Sequence, residues 1–396
     1  MFVGLIKNEF IKLYSRKKTF IILILFMALS GVLVAVNESN ENNYLQSKKP
    51  EFLIQNLEEQ IGYQEDYLES VKNDKVELKN AELSLEYTNE ELKNAKLALE
   101  NQDSYDWHED VKAQIKELKE MNDNSIDEGS KEYNSKEIIR LQTSLDYNIP
   151  IDEEYLNKGI NYIILNITLV AAGFLAFGLI LFNADSVSNE YNPGTLKFLL
   201  IQPVSRIKIL LSKFIVMILS SLGLIMGTQG LFCVGVGLVK GFGSLNRPIL
   251  AGIKYEFIME NGLKVLNEVG NSGTYISLSS YLLKALSLEA LYIIVMVSFI
   301  FMISTISKSS VISMTIAIGA LLASNIIYML STTYRSFSPF IFLHYSNIEG
   351  IIKGTIVLET RSLYFTYPNV VIISLITSIV FLIISLLVFK KRDIQI

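Results

Sequence analysis

The chain has 396 residues, half of them hydrophobic, with one cysteine, two histidines and a formal net charge of −5. That apolar fraction exceeds what a soluble globular chain carries and places the protein in the membrane class. Cys233, alone in an apolar run, excludes a disulfide framework and a thiolate metal site, and reads as a buried small hydrophobe. No Gly-Lys dipeptide occurs anywhere, which excludes a phosphate-cradling G-x-x-x-x-G-K-[ST] loop, so nucleotide is not hydrolysed here by that route.

The net charge conceals two electrostatic bodies. Residues 37–160 hold 30 acidic and 14 basic residues, a net of −16, which leaves the remainder at +11. The predicted fold is an all-α polytopic membrane protein with six transmembrane helices and a large extracellular, coiled-coil-like helical hairpin between the first two. Residues 1–18 place Phe2, Leu5, Ile6, Phe10 and Leu13 on one side and Lys7, Lys12 and Arg16 to Lys18 elsewhere, the pattern of an interfacial amphipathic helix. Residues 19–36 are 18 uncharged residues, about 27 Å as a helix, enough for a first span. A secretory signal peptide is the alternative, disfavoured because the run exceeds the roughly 7–15 apolar residues of such peptides.

Within 37–160, Leu57, Val71, Leu78, Leu85, Leu92 and Leu99 share one seven-residue register, interrupted by Gln64. The companion position runs Ile61, Leu68, Lys75, Glu82, Asn89, Lys96 and turns polar halfway, which favours a local hairpin over an independent dimer. The outgoing arm is expected to run from 51 to 101, on the order of 75 Å if unbroken, with its turn at Asn101 to Ser104. Val111, Ile115 and Leu118, then Ile138, Leu141 and Leu145, mark return helices on either side of an Asn122–Ser130 break. A solvated stalk without chemistry is the plain reading of this hairpin; an extracellular partner surface is the other.

Residues 161–184 form the second span, and 185–206 the polar segment that follows it. There Asn192 can cap a helix, Pro193 suits its first position, and Leu196, Leu199 and Leu200 recur at i, i+3, i+4 before Pro203 stops it. A helix two turns long is not stable alone in water and needs a partner surface. Asp185, Glu190, Gly194, Thr195, Leu196, Leu199, Leu200, Pro203, Val204, Ser205, Arg206 and Lys213 resemble the ND…E…GTL…LL…PVSR…K pattern of permease subunits of ABC-2 type ABC transporters. The resemblance covers the membrane part of the chain, and most of 37–160 departs from it in length. It implies that the segment is a cytoplasmic coupling helix on an ATP-binding subunit, with Glu190, Pro193, Gly194, Thr195, Leu196, Leu199, Leu200, Pro203 and Arg206 as its coupling residues.

Residues 207–239 form the third span, where Gly223, Gly227, Gly230, Gly235 and Gly237 allow close helix approach. Residues 240–280 read as an external loop, 281–304 and 309–334 as a tight pair of spans around Lys308, and 335–368 as interfacial or re-entrant short helices. Residues 369–389 are the last span, and 390–396 a cytoplasmic tail opening on Lys390, Lys391 and Arg392. With a cytoplasmic N-terminus, every basic cluster falls inside and the acidic hairpin outside.

His108 and His344 have no ligands at metal spacing and read as solvated or interfacial; no metal, cofactor or nucleic acid is expected. Glu289 is the one carboxylate well inside a predicted span, a functional candidate by default. Its alternative is to snorkel toward the outer headgroups or to pair with another helix.

Two functions follow. The resemblance implies an exporter permease in a bacterial cell membrane, moving a peptide, antibiotic or lipid-like compound, paired as a homodimer or with a homologous permease and driven by two ATP-binding subunits. The alternative is a membrane scaffold or secretion-apparatus component that works through its hairpin.

Overall fold

The computed structural model describes residues 2–70, 75–100, 106–125, 127–170, 173–190 and 204–391. Among them, five helices are long and apolar enough to cross a membrane: α2 (Lys17–Ser47), α9 (Arg206–Lys240), α10 (Leu278–Ile306), α11 (Ser310–Leu330) and α15 (Tyr367–Lys391). A sixth apolar run is broken into α7 (Gly159–Val170) and α8 (Phe174–Asn183), with 77° between the segments Gly159–Leu169 and Phe174–Glu190. The second span was expected as one continuous helix. Gly173, left-handed at φ +84°, precedes α8, a conformation that ends a helix and that glycine adopts without steric cost.

The centre of the bundle is α10, most of whose apolar stretch is buried inside the protein, whereas most of that of α2, α11 and α15 is not. Of its buried hydroxyls, those of Ser298 and Thr305 donate to the carbonyls four residues back. Close approach in the third span is not made where the glycines cluster. Gly223, Gly227, Gly230 and Gly235 face open space, whereas a Cβ on Gly159 would come within 2.6 Å of the Cys233 carbonyl, so α7 meets α9 backbone to backbone at Gly159 and Gly237.

The N-terminal helix α1 (Phe2–Tyr14) precedes α2, which runs on past the apolar limit at residue 36 because 37–47 contains neither glycine nor proline. This extension is tied down: Asn37 donates to Asn157 at 2.7 Å, and Lys240 pairs with Glu38 at 2.8 Å and Glu41 at 3.1 Å. The ends of α2, α7 and α9 are thereby joined at the base of the acidic body.

In that body, α3 (Pro50–Ser70) and α4 (Lys75–Glu100) lie antiparallel. Gln64 donates to Ser84 at 3.1 Å and Lys96 pairs with Glu58 at 2.8 Å, so the heptad seam folds back on itself near residue 75. The expected unbroken arm from 51 to 101 is therefore two shorter helices; the expected turn at 101–104 lies outside the described residues. The physical reason is the companion position, which turns polar at Lys75 and leaves the second half unable to extend the seam outward. Beyond it, α5 (Trp107–Asn124) and α6 (Glu128–Asp146) pack through Val111, Ile115 and Leu141. Asp106 caps α5 by accepting from the His108 N–H, and Asp127 caps α6 by accepting from the Ser130 N–H.

Residues 240–280 carry short strands: β1 (Pro248–Ala251) pairs antiparallel with β4 (Thr274–Ser277), and β2 (Tyr255–Glu260) with β3 (Leu263–Glu268). Lys136 of α6 reaches Glu268 at 3.3 Å, joining this loop to the acidic body. Residues 332–360 fold into α12 (Thr332–Phe337), α13 (Ile348–Lys353) and α14 (Ile356–Thr360), with two 3₁₀ turns, Ser338–Phe340 and Phe342–His344, between the first two. They cap the bundle: Tyr345, Ile348, Ile351 and Ile356 join the main core. His344 was expected to be solvated or interfacial, but it is buried, hydrogen-bonded to Ser324 at 3.0 Å and stacked on Tyr328.

Candidate functional site

The segment that opens at Asp185 is held at both of its ends. On its first side, Asp185 accepts from Lys18 at 2.7 Å and faces Arg16 at 3.8 Å, which ties it to the junction of α1 and α2. A 3₁₀ turn follows over Ser188–Glu190. The Oγ of Ser304, two residues before the end of α10, accepts from the N–H groups of Val187 and Ser188 at 3.0 and 3.1 Å, satisfying two buried donors that no regular helix would pair. Val187 packs with Leu210, Phe214, Phe301 and Phe389.

Glu190 closes the turn in an ionic quartet in which Glu190 and Lys213 are buried and Lys12 is partly exposed. Its Oε1 accepts from Lys213 Nζ at 2.5 Å and lies 3.7 Å from Lys12; Lys213 also donates to Glu9 at 2.7 Å, and Lys12 to Glu9 at 3.3 Å. Lys213 is only 3% exposed. Two carboxylates and two ammonium groups balance, which is the condition under which buried charge is tolerated. Arg206 opens α9, two turns before Lys213. Pro193, Gly194, Thr195, Leu196, Leu199, Leu200 and Pro203 lie outside the described residues. The quartet was not foreseen: Glu190 and Lys213 were both singled out in the family resemblance, but not as partners, and Glu9 was not read at all. The available signal was that Glu9 is the one acid in an otherwise basic amphipathic helix.

A second polar centre lies inside the bundle. Glu289 on α10 is wholly enclosed, so it does not snorkel; it pairs with another helix. Gln229 of α9 donates through Nε2 to Glu289 Oε1 at 2.6 Å and to Asn166 Oδ1 of α7 at 2.7 Å, and Asn166 donates to the Tyr162 hydroxyl at 3.3 Å. Glu289 Oε2 and Gln229 Oε1 are buried without a partner among the described residues. Three helices thus converge on one amide. Gln229 and Asn166 were missed, although Gln229 is the only amide side chain in the 35 residues of α9.

The profile of a family described as ABC-2 family transporter protein matches residues 4–394 of this chain. The chain is also similar to the uncharacterized protein YhcI of Bacillus subtilis (strain 168), 27% identical over 297 residues that cover 73% of this chain and 84% of that protein.

Proposed function

The chain belongs to the ABC-2 family of transporter proteins, and from that membership we propose that it is the membrane permease subunit of an ATP-driven exporter whose ATPase is a separate chain. In this reading the 185–213 segment faces the cytoplasm and carries the coupling helix. The observation that supports it most directly is the anchoring of that segment: Asp185 and Glu190 on one side and Lys213 on the other are all tied ionically to the N-terminal region, and Ser304 ties the turn to the central helix. A passive anchor has no use for a surface segment held from both ends, whereas a segment that receives force from a partner must be unable to move independently of the bundle.

The broken α7–α8 pair counts as the second of six spans, both termini lie in the cytoplasm, and the acidic body projects outside. Two ATP-binding subunits serve a pair of permeases, either two copies of this chain or this chain with a homologous one. Pro193, Gly194, Thr195, Leu196, Leu199, Leu200, Pro203 and Arg206 form the docking surface, and the cargo is a peptide, antibiotic or lipid-like compound.

Purification from the native host in mild detergent tests the reading. A stoichiometric ATPase should accompany the wild-type chain. Replacing Leu199 and Leu200 by Ser should release it, since each buried leucine contributes about 1.5–3 kcal/mol to such an interface. Envelope proteins bound to the acidic body, with no ATPase, would instead favour a scaffold.

A further inference from the structure

Glu289 and Gln229 each keep one buried oxygen to which no described residue donates, although the two side chains already share a hydrogen bond. Gln229 Nε2 gives one proton to Glu289 Oε1 and the other to Asn166 Oδ1, so the amide has nothing more to donate and its Oε1 stands as an acceptor. Glu289 Oε2 is a second acceptor of the same kind. An ionised carboxylate here would be a wholly enclosed charge and would leave both oxygens unmade, each at the cost of a buried polar group without a partner.

No cation among the described residues is placed to compensate that charge. The helices α7, α8 and α11, all packed against α10, contain no Lys, Arg, Asp or Glu, and α15 has only Lys390 and Lys391, in its last turn. On α9, Arg206 and Lys208 lie in the first turn, and Lys213 and Lys240 are engaged by carboxylates of other segments. Lys353 of α13 pairs with Glu349 at 2.6 Å, Lys284 of α10 itself is exposed, and the buried His344 ring is hydrogen-bonded to Ser324. The chain that leads away from Gln229, through Asn166 to the Tyr162 hydroxyl, is neutral throughout. A single proton resolves the arrangement: on Oε2 it neutralises the acid and supplies the one donor that two acceptors lack.

We propose that Glu289 is a proton-binding site inside the bundle: it is held as the carboxylic acid, whose O–H donates to Gln229 Oε1 while Gln229 Nε2–H donates to Glu289 Oε1. The two bonds form the ring of an acid facing an amide, and that ring joins α10 to α9, with Asn166 tying the same amide to α7. The pair is complete only while the proton is present. If α9 draws away from α10 far enough to admit water, the O–H loses its acceptor, the acid ionises and its proton passes to that water, so separation of the two helices and release of one proton are linked. The site does not depend on the permease reading above; on that reading, the linkage makes a movement of α9 against α10 proton-dependent.

The test is infrared spectroscopy of the full chain in lipid nanodiscs at neutral pH, with glutamate labelled by carbon-13 at the side-chain carboxyl. The carbonyl of a carboxylic acid absorbs apart from a carboxylate, so a protonated glutamate stands out from the ionised ones of the acidic body. Wild type should show an acid band that moves with the label, Glu289→Gln should lack it, and in Gln229→Leu it should move to higher frequency as the carbonyl loses its hydrogen bond. No labelled acid band in wild type overturns the inference whether or not the variants fold, and a band undiminished in Glu289→Gln overturns the assignment to Glu289. Hydrogen exchange tests the ring itself. Glu289→Gln keeps a donor and an acceptor toward Gln229, so amides of α9 around residue 229 should exchange within about threefold of wild type, whereas Glu289→Leu strands Gln229 and should speed them at least about tenfold; the reverse order overturns the ring. A chain that shows the band but brings down no ATPase removes the permease reading and leaves this site standing, whereas an ATPase-coupled chain without the band does the reverse.

Discussion

Replacing Lys213 by Met tests the ionic quartet most directly. The side chain keeps its length and loses its charge, leaving Glu9 and Glu190 with Lys12 as their only quartet cation, 3.3 and 3.7 Å away. Lys213 is 3% exposed and Glu190 is 5% exposed, so water cannot replace the lost ammonium. Removing one partner of a buried pair costs about 3–5 kcal/mol, because it strands the other charge. The compensated double variant, Lys213→Met with Glu190→Gln, retains the neutral Glu9–Lys12 pair and should therefore be less damaged than the single one. The assay is hydrogen exchange of the chain in nanodiscs, read at the amides of α1 and of residues 206–213. The single variant should open there roughly 100-fold more readily or beyond, at about 1.4 kcal/mol per tenfold. Protection equal to wild type in Lys213→Met, or a double variant worse than the single one, would refute the quartet as a structural anchor.

His108 gives a pH prediction. Its ring nitrogens face the Asp106 carboxylate and the Asn148 amide oxygen, both at 2.7 Å, and the hydrogen bond to Asp106 above all raises its pKa over the ordinary histidine value. A raised folded value means that the clamp's contribution is complete below the unfolded histidine pKa of about 6.5 and is lost as pH rises through the folded one; NMR titration should show the elevation in wild type and a return toward the ordinary value in Asp106→Asn. For topology, cysteines at Ser130 and Ser205, both exposed, should differ in intact cells: an impermeant thiol reagent should label the first and spare the second, and the opposite pattern would invert the orientation. Gly354→Ala should destabilise the capping helices by about 1–2 kcal/mol from left-handed backbone alone, because Gly354 has φ +91° and a Cβ there would overlap the Ile253 carbonyl; a thermal melt unchanged from wild type would contradict the close approach.

Legibility followed sequence range. Long apolar runs announce themselves, and Val111, Ile115 and Leu141 could be paired across α5 and α6 because one periodicity serves both helices and the chain between them is short. The seam of α3 and α4 was legible as a packing surface but not in its direction. A heptad stripe reads the same whether the helix continues or doubles back, and only the polar turn of the companion position at Lys75 distinguished the two. Beside the break in the second span stands Gly173, one glycine in an apolar run, which composition does not separate from a glycine tolerated within a helix. The polar centres were the least legible. Lys213 is 204 residues from Glu9, and Gln229 is 60 from Glu289, so each charge or amide was visible while its partner was set by helix packing that no local pattern encodes.

The two polar centres are joined by one rigid element. Ser304, which holds the 187–188 turn, and Glu289, which meets Gln229, both lie on α10, fifteen residues and therefore about 22 Å apart along its axis. That helix is the most deeply buried of the five long apolar helices, so close packing along it resists local bending in response to a displacement at one end. Movement of the Asp185–Glu190 turn must then either break two backbone hydrogen bonds to Ser304 or carry α10 with it. Because Gln229 belongs to α9, and α9 is fixed to the same turn through Lys213 and Glu190, the two helices that meet at the buried amide are also the two clamped at the segment. A shift of one against the other changes the distance between Gln229 and Glu289, the buried contact that joins α9 to α10 inside the bundle.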